Sequence, residues 1–154
     1  MSAIPLFAYG TLQDSDVLRA LTGRVPTGVP CIASRWRVAG LPGLSYPGLV
    51  PDSSRNASGL LFTDLRASEL VLLDAFENPA YALSRIQLRI AGSTFTAWSY
   101  TWTREYEDSD WNLVGWQPDK PAYLANVELW RSTYFPPPVS RTRWGSIGML
   151  PALS

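Results

Sequence analysis

Two runs of alternating residues, Leu83–Ile90 and Thr94–Trp102, stand either side of Ala91-Gly92-Ser93, and this arrangement limits the fold more than any other feature of the chain. Neighbouring side chains of a strand point to opposite faces. Ile86, Leu88 and Ile90 therefore share one face, and Arg85, Gln87 and Arg89 the other. A short glycine-containing segment between two such runs makes a β-hairpin with one face to bury. Cys31–Val38 alternates in the same way, and the expected phase puts Ile32, Trp36 and Val38 on one face and Arg35 and Arg37 on the other. Ile4–Tyr9 is a short apolar run ending at Gly10 and reads as a buried first strand; Gly59–Phe62 begins another.

Helices are fewer. Asp14 or Ser15 caps a helix through Val17, Leu18 and Leu21 that Gly23 closes. Ala67–Phe76 holds good helix formers and no breaker, and Asn78-Pro79 ends it. Pro121 opens a last helix through Leu124, Val127 and Trp130. Residues 40–58, rich in Gly, Pro and Ser, read as a loop with one short strand near Leu49 and Val50; residues 104–119 read as a polar, solvated loop. The expected architecture is α+β, with mainly antiparallel hairpins making a twisted sheet or a small barrel. The expected organisation is one domain over 1–135, with a Pro-rich tail over 136–154 whose natural anchor is Trp144, either on this domain or on a neighbour.

Several chemistries are excluded by composition. The 154 residues include no histidine and one cysteine, Cys31. A Ser-His-Asp or Cys-His centre is impossible, and thiolate or imidazole metal sites lack ligands. Thirteen basic residues balance 13 acidic ones, which gives no electrostatic footprint for nucleic acid or an anionic membrane. No apolar run reaches the length of a membrane span. The N-terminus does not read as a signal peptide, so a cytoplasmic location is the default expectation. Asn56-Ala57-Ser58 is a glycosylation acceptor in pattern only. Asp108, Asp110 and Asn112 imitate the start of a calcium loop, but Leu113 stands where glycine is needed and Asp119 where glutamate is needed. Cys31 reads as a small buried apolar residue.

Two segments carry a more specific signal: Phe7-Ala8-Tyr9-Gly10-Thr11-Leu12 and Leu73-Asp74-Ala75-Phe76-Glu77. With Tyr46-Pro47-Gly48-Leu49 and Gly59 between them and Tyr81 after them, the chain resembles the gamma-glutamylcyclotransferase-like superfamily, in particular the branch of the plant avirulence-induced proteins and the gamma-glutamylamine cyclotransferases. The resemblance runs from about Phe7 to Tyr134. It implies a small mixed, mainly antiparallel barrel flanked by helices, and a cofactor-free, metal-independent reaction. In that reaction the substrate's α-amine attacks its own γ-glutamyl carbonyl, 5-oxoproline forms and an amine or peptide leaves. The implied partner is a small γ-glutamyl substrate; the oligomeric state is left open.

The same resemblance assigns residues. Glu77 aligns with the family's catalytic glutamate, a base that takes the ammonium proton and then an acid that returns it to the leaving amine. On helical periodicity alone, Asp74 and Glu77 would share a solvated acidic face. Asp74 aligns with a structural position, and Tyr81 with a tyrosine that packs or lines the pocket. Many members have glycine at the position of Asn78 and arginine at that of Leu83. Tyr9, Gly10, Thr11, Leu12 and Gln13 form the expected substrate cradle. A strand-to-helix turn presents successive backbone N–H groups, and Gly10 is expected to leave room for the ligand against the backbone. Glu77 and this turn should therefore face one cavity. The alternative from a different class is a catalytically silent ligand-binding or stress-response module on the same fold.

Overall fold

The computed structural model describes residues 4–149. Five strands close into a barrel: β1 (Leu6–Ala8), β2 (Gly28–Leu41), β3 (Leu44–Phe62), β4 (Tyr81–Ile90) and β5 (Ser93–Trp102). Their spatial order is β1-β3-β2-β4-β5. All pairs along that order are antiparallel, and a parallel contact between Leu6 and Trp98 closes the ring. The mixed, mainly antiparallel barrel is thus present. The β4–β5 hairpin turns on Ala91 and Gly92, both at positive φ (49° and 83°), the two-residue geometry that matches the strands' twist.

Helices cover the barrel. Asp14 caps α1 (Ser15–Thr22) by accepting from Asp16 N and Val17 N, and Gly23 ends it in the left-handed conformation at φ 80°. The remaining helices are α2 (Ala67–Phe76), the short α3 (Leu113–Trp116), α4 (Lys120–Ser132) and α5 (Arg143–Ser146). One apolar core is drawn from the strands alone, with Phe7, Leu49 and Leu88 set against the small Ala33, Ala57 and Ala97. The second joins strands to helices through Leu6, Leu21, Leu73, Trp116, Val127 and Trp144.

Three expectations need correction. Residues 44–58 are not a loop but most of a 19-residue strand. Its prolines lie beside breaks in the β2–β3 ladder, Pro51 at the shift between Ser34 and Trp36 and Pro47 at the shift between Ala39 and Leu41. A proline is tolerated where the ladder is already interrupted. In β2 the phase is also the reverse of that expected: Cys31, Ala33, Arg37, Ala39 and Leu41 are buried while Ile32 is exposed. Cys31 and Ala33 are the small inward partners of Phe7, Leu49 and Leu88, which fill the interior, so Ile32 faces outward. Arg37 is buried because its guanidinium is satisfied by Asp110 (3.1 Å) and by the carbonyls of Glu107 and Asp108. That contact straps down the segment expected to be a solvated loop, which also contains α3. Cys31 is buried as expected, and burial pushes its thiol up to about 11.

Trp144 anchors on this domain: it is fully buried against Trp98 and Tyr100, with ring centroids 6.0 and 6.3 Å away.

Candidate active site

The end of β1 and the end of α2 meet over one cavity of about 500 Å³. Tyr9, Gly10, Thr11 and Leu12 line it from the turn after β1, Glu77 and Asn78 from the end of α2, and Tyr81 from the start of β4. Tyr46 and Pro47 of β3, Tyr100 of β5 and Tyr123 of α4 complete the wall.

The walls are braced by hydroxyl groups. Tyr9 OH donates to the Tyr100 carbonyl (2.6 Å), Tyr81 OH to the Pro47 carbonyl, and Tyr100 OH to Asp74 Oδ1 (2.8 Å). Thr11 Oγ1 and Tyr123 OH are 2.9 Å apart. Asn78 Nδ2 donates to Tyr46 OH (2.9 Å), so an asparagine here adds a polar bridge that glycine would not make. Burial pushes the phenols of Tyr9, Tyr81, Tyr100 and Tyr123 well up, and they stay neutral donors across the working pH range.

Glu77 is the one residue of the lining, apart from the phenols, that ionises. Burial raises its carboxyl to about 8; Arg143 opposes that rise and Asp74 adds to it. Its neighbours supply charge and desolvation but no hydrogen bond to the carboxylate. A carboxyl group so placed is mostly neutral at pH 7 with a minor ionised fraction, and its affinity for a proton lies close enough to neutrality to accept and return one.

The turn opposite is a single 3-10 turn, Thr11–Gln13, whose first backbone bond runs from Gln13 N to Gly10 O (3.0 Å). The N–H groups of Thr11 and Leu12 precede that bond and have no carbonyl partner within the turn. Gln13 itself lies on the other side. Its side chain does not line the cavity but borders a smaller one of about 260 Å³. It braces the turn from outside, donating to the carbonyls of Tyr9 (2.8 Å) and Gly10 (3.3 Å).

A Cβ on Gly10 would meet Pro47 Cγ at 2.9 Å and Cδ at 3.1 Å, so the missing side chain makes room for the proline ring. Gly10→Ala is therefore expected to lower thermal stability and weaken ligand binding together, because it displaces Pro47, whose carbonyl holds Tyr81. Unchanged melting temperature with lost ligand binding would show that Gly10 faces the ligand instead. The Tyr46-Pro47-Gly48 run acquires a similar account: Tyr46 and Pro47 form wall, and Gly48 lets the Trp102 side chain approach to 2.5 Å from where a Cβ would stand.

Asp74 is buried, not solvated. It accepts from Tyr100 OH, from Arg143 N (3.0 Å) and from Arg143 Nη1 (3.0 Å). Arg143, Tyr100 and Tyr123 are the residues of this neighbourhood that sequence reasoning missed. Nothing in their local pattern separates them from packing residues; only their distance-spanning contacts do.

A barrel of this order, with an internal carboxyl at a helix end facing a strand-to-turn junction, defines a class. A family model described as "Gamma-glutamyl cyclotransferase, AIG2-like" matches residues 6–117, and the chain belongs to that family. It is 28% identical to AIG2-like protein C of Arabidopsis thaliana over 130 residues, covering 80% of this chain and 75% of that protein. A solution structure of an Arabidopsis thaliana protein superposes with a TM-score of 0.64 at 22% identity, covering 89% of this chain and 97% of the other. A structure titled gamma-glutamyl cyclotransferase gives 0.60 at 12% identity, covering 89% and 90%. At such identities the structural likenesses establish the fold. Among the described residues, no helix is long and apolar enough to cross a membrane.

Proposed function

We propose that this protein is an enzyme that releases 5-oxoproline from a small γ-glutamyl amine or peptide by intramolecular aminolysis. The observation that carries the reading is Glu77: a half-buried residue whose carboxyl desolvation raises to about 8, set among neutral phenols in a cavity that Thr11 and Leu12 of the turn also line. The substrate's α-ammonium gives a proton to the Glu77 carboxylate. The freed amine attacks the γ-carbonyl carbon, and the carbonyl oxygen becomes an oxyanion that backbone N–H groups stabilise. The tetrahedral centre collapses, the bond to the leaving nitrogen breaks, Glu77 returns its proton to that nitrogen, and the ring nitrogen gives up its remaining extra proton to solvent. The products are 5-oxoproline and the free amine. Nucleophile and electrophile share one molecule, so orientation supplies much of the rate. Tyr9, Thr11, Leu12 and Tyr81 would shape the cavity around the glutamyl group.

The test is 5-oxoproline formation across a panel of γ-glutamyl amines and peptides, with binding followed in parallel. Binding without turnover on every compound would favour a silent ligand-binding module.

The pH profile follows from the same group. A free-enzyme carboxyl near 8 is about one-tenth ionised at pH 7 and half ionised at pH 8. kcat/KM is expected to rise about fivefold over that interval if ionised Glu77 is the base. A profile flat from pH 6 to 8 would assign the proton to another group.

A further inference from the structure

The family model ends at residue 117, yet the C-terminal segment reaches the back of the candidate site. Arg143 opens α5, and Thr142 caps that helix by accepting from Gly145 N. The Arg143 backbone N–H and Nη1 bind the two carboxylate oxygens of Asp74, and Nη1 also reaches the Asp74 carbonyl (3.1 Å). Nη2 points the other way along the chain, donating to the carbonyls of Asn78 (2.7 Å) and Glu77 (3.4 Å). The guanidinium lies over the Tyr100 ring at 5.4 Å, and the next residue, Trp144, is fully buried. One planar group thus joins the last turn of α2 to the backbone on which Glu77 sits. A forked guanidinium can hold such divergent acceptors; a point-like ammonium cannot.

We propose that Arg143 is a positioning residue of the site, its guanidinium pinning the backbone at Glu77 and Asn78 to Asp74 so that the Glu77 carboxyl is held at the cavity. The proposal deepens the reading of Glu77 as the proton carrier and rests on it. Arg143 does not itself line the cavity, so it acts through Glu77. Its charge also matters. The groups that face Glu77 are Asp74 on α2, Arg143 on α5, Tyr9 after β1, Tyr81 on β4, Tyr100 on β5 and Tyr123 on α4. Arg143 is the cation of that set, and its positive charge favours ionised Glu77 while Asp74 opposes it.

The test uses the full chain with carbon-13-labelled glutamate, the Glu77 carboxyl resonance being assigned by its loss in Glu77→Gln. Arg143→Met keeps the aliphatic stem and removes both fork and charge. The Glu77 titration midpoint should rise by about half to one pH unit, and the rising limb of kcat/KM should move with it. kcat should fall roughly 10-fold or more from misplacement of the carboxyl. Arg143→Lys should keep the midpoint near that of the parent, since the charge remains, while kcat stays depressed because the fork is gone. A folded Arg143→Met with the parent's midpoint and pH profile would overturn the proposal, leaving Arg143 a packing residue. If Arg143→Met does not fold, Arg143→Lys decides: parental kcat would overturn the proposal, and depressed kcat with a parental midpoint would support it. If the parent makes no 5-oxoproline from any γ-glutamyl compound, the functional reading fails, and the midpoints alone still test whether Arg143 sets the state of Glu77.

Discussion

Glu77→Gln is expected to lower 5-oxoproline formation by roughly 10²–10⁴-fold while leaving ligand affinity little changed. The amide matches the carboxyl in size, and no hydrogen bond to the carboxylate is lost in making the change. What disappears is the capacity to take a proton from the ammonium and return it to the leaving nitrogen. Glu77→Asp should also be impaired, since shortening the side chain by one methylene withdraws the carboxyl from the amine. Parental turnover by a folded Glu77→Gln would end the assignment. Stability should move the opposite way. The carboxyl ionises near 4.5 in an unfolded chain and near 8 in the fold. Between those values the folded state binds more protons than the unfolded one, so stability declines as pH rises. This group's contribution is complete below about 4.5 and is lost as pH passes 8. Glu77→Gln has no such dependence, so its melting temperature should gain on the parent's from about pH 4.5 upward and hold that lead above 8. A variant less active and more stable is the signature of a carboxyl kept in place for chemistry. Asp74→Asn is the contrasting control. Its amide would present a donor to the Arg143 donors, so it should cost stability, and any loss of turnover should follow from displaced Arg143.

Local patterns were legible where local physics decides them. The β4–β5 hairpin, the Asp14 cap and Gly23 stop of α1, and the existence of α2 all follow from neighbours in sequence. Patterns failed where a distant partner decides. Residues 44–58 look like a loop because of their Gly, Pro and Ser content, but β2 lies alongside and supplies the ladder. Arg37 hides the phase of β2, since its partners lie in the segment around Asp110. Asp74 and Glu77 sit on the sector of α2 that periodicity assigns to solvent. They are enclosed because α5 folds over Asp74 and the β1 turn faces Glu77. Only the resemblance of the two short motifs, joined with Tyr46-Pro47-Gly48 and Tyr81, pointed to Glu77 from the sequence. It carried the turn after β1 as well, although Gln13 braces that turn from behind rather than from within the cavity.

Trp144→Ala should be the most destabilising single substitution in the C-terminal segment, costing about 3–5 kcal/mol. Trp144 is fully buried, lies edge-on to Trp98 and Tyr100, and belongs to the same apolar core as Leu73 and Val127. Removing it leaves a cavity among strands and helices that cannot all close in. Its indole Nε1 is buried with no hydrogen-bond partner among the described residues, so Trp144→Phe removes that donor along with the second ring and should cost markedly less than the alanine variant. The consequence for the site is what sets this residue apart from an ordinary core tryptophan. Arg143 is its neighbour, and Arg143 holds Asp74 and the carbonyls of Glu77 and Asn78. Loosening Trp144 should therefore lower turnover under conditions where the chain is still folded, and Trp144→Phe should restore both stability and turnover. Ending the chain at Phe135 should have at least the effect of Trp144→Ala, since it removes the ring and the guanidinium at once. Denaturant melts of the three variants, beside 5-oxoproline assays below each melting point, make the comparison. If the chain ending at Phe135 is as stable and as active as the full chain, residues 136–149 are dispensable, and neither Trp144 nor Arg143 supports the site.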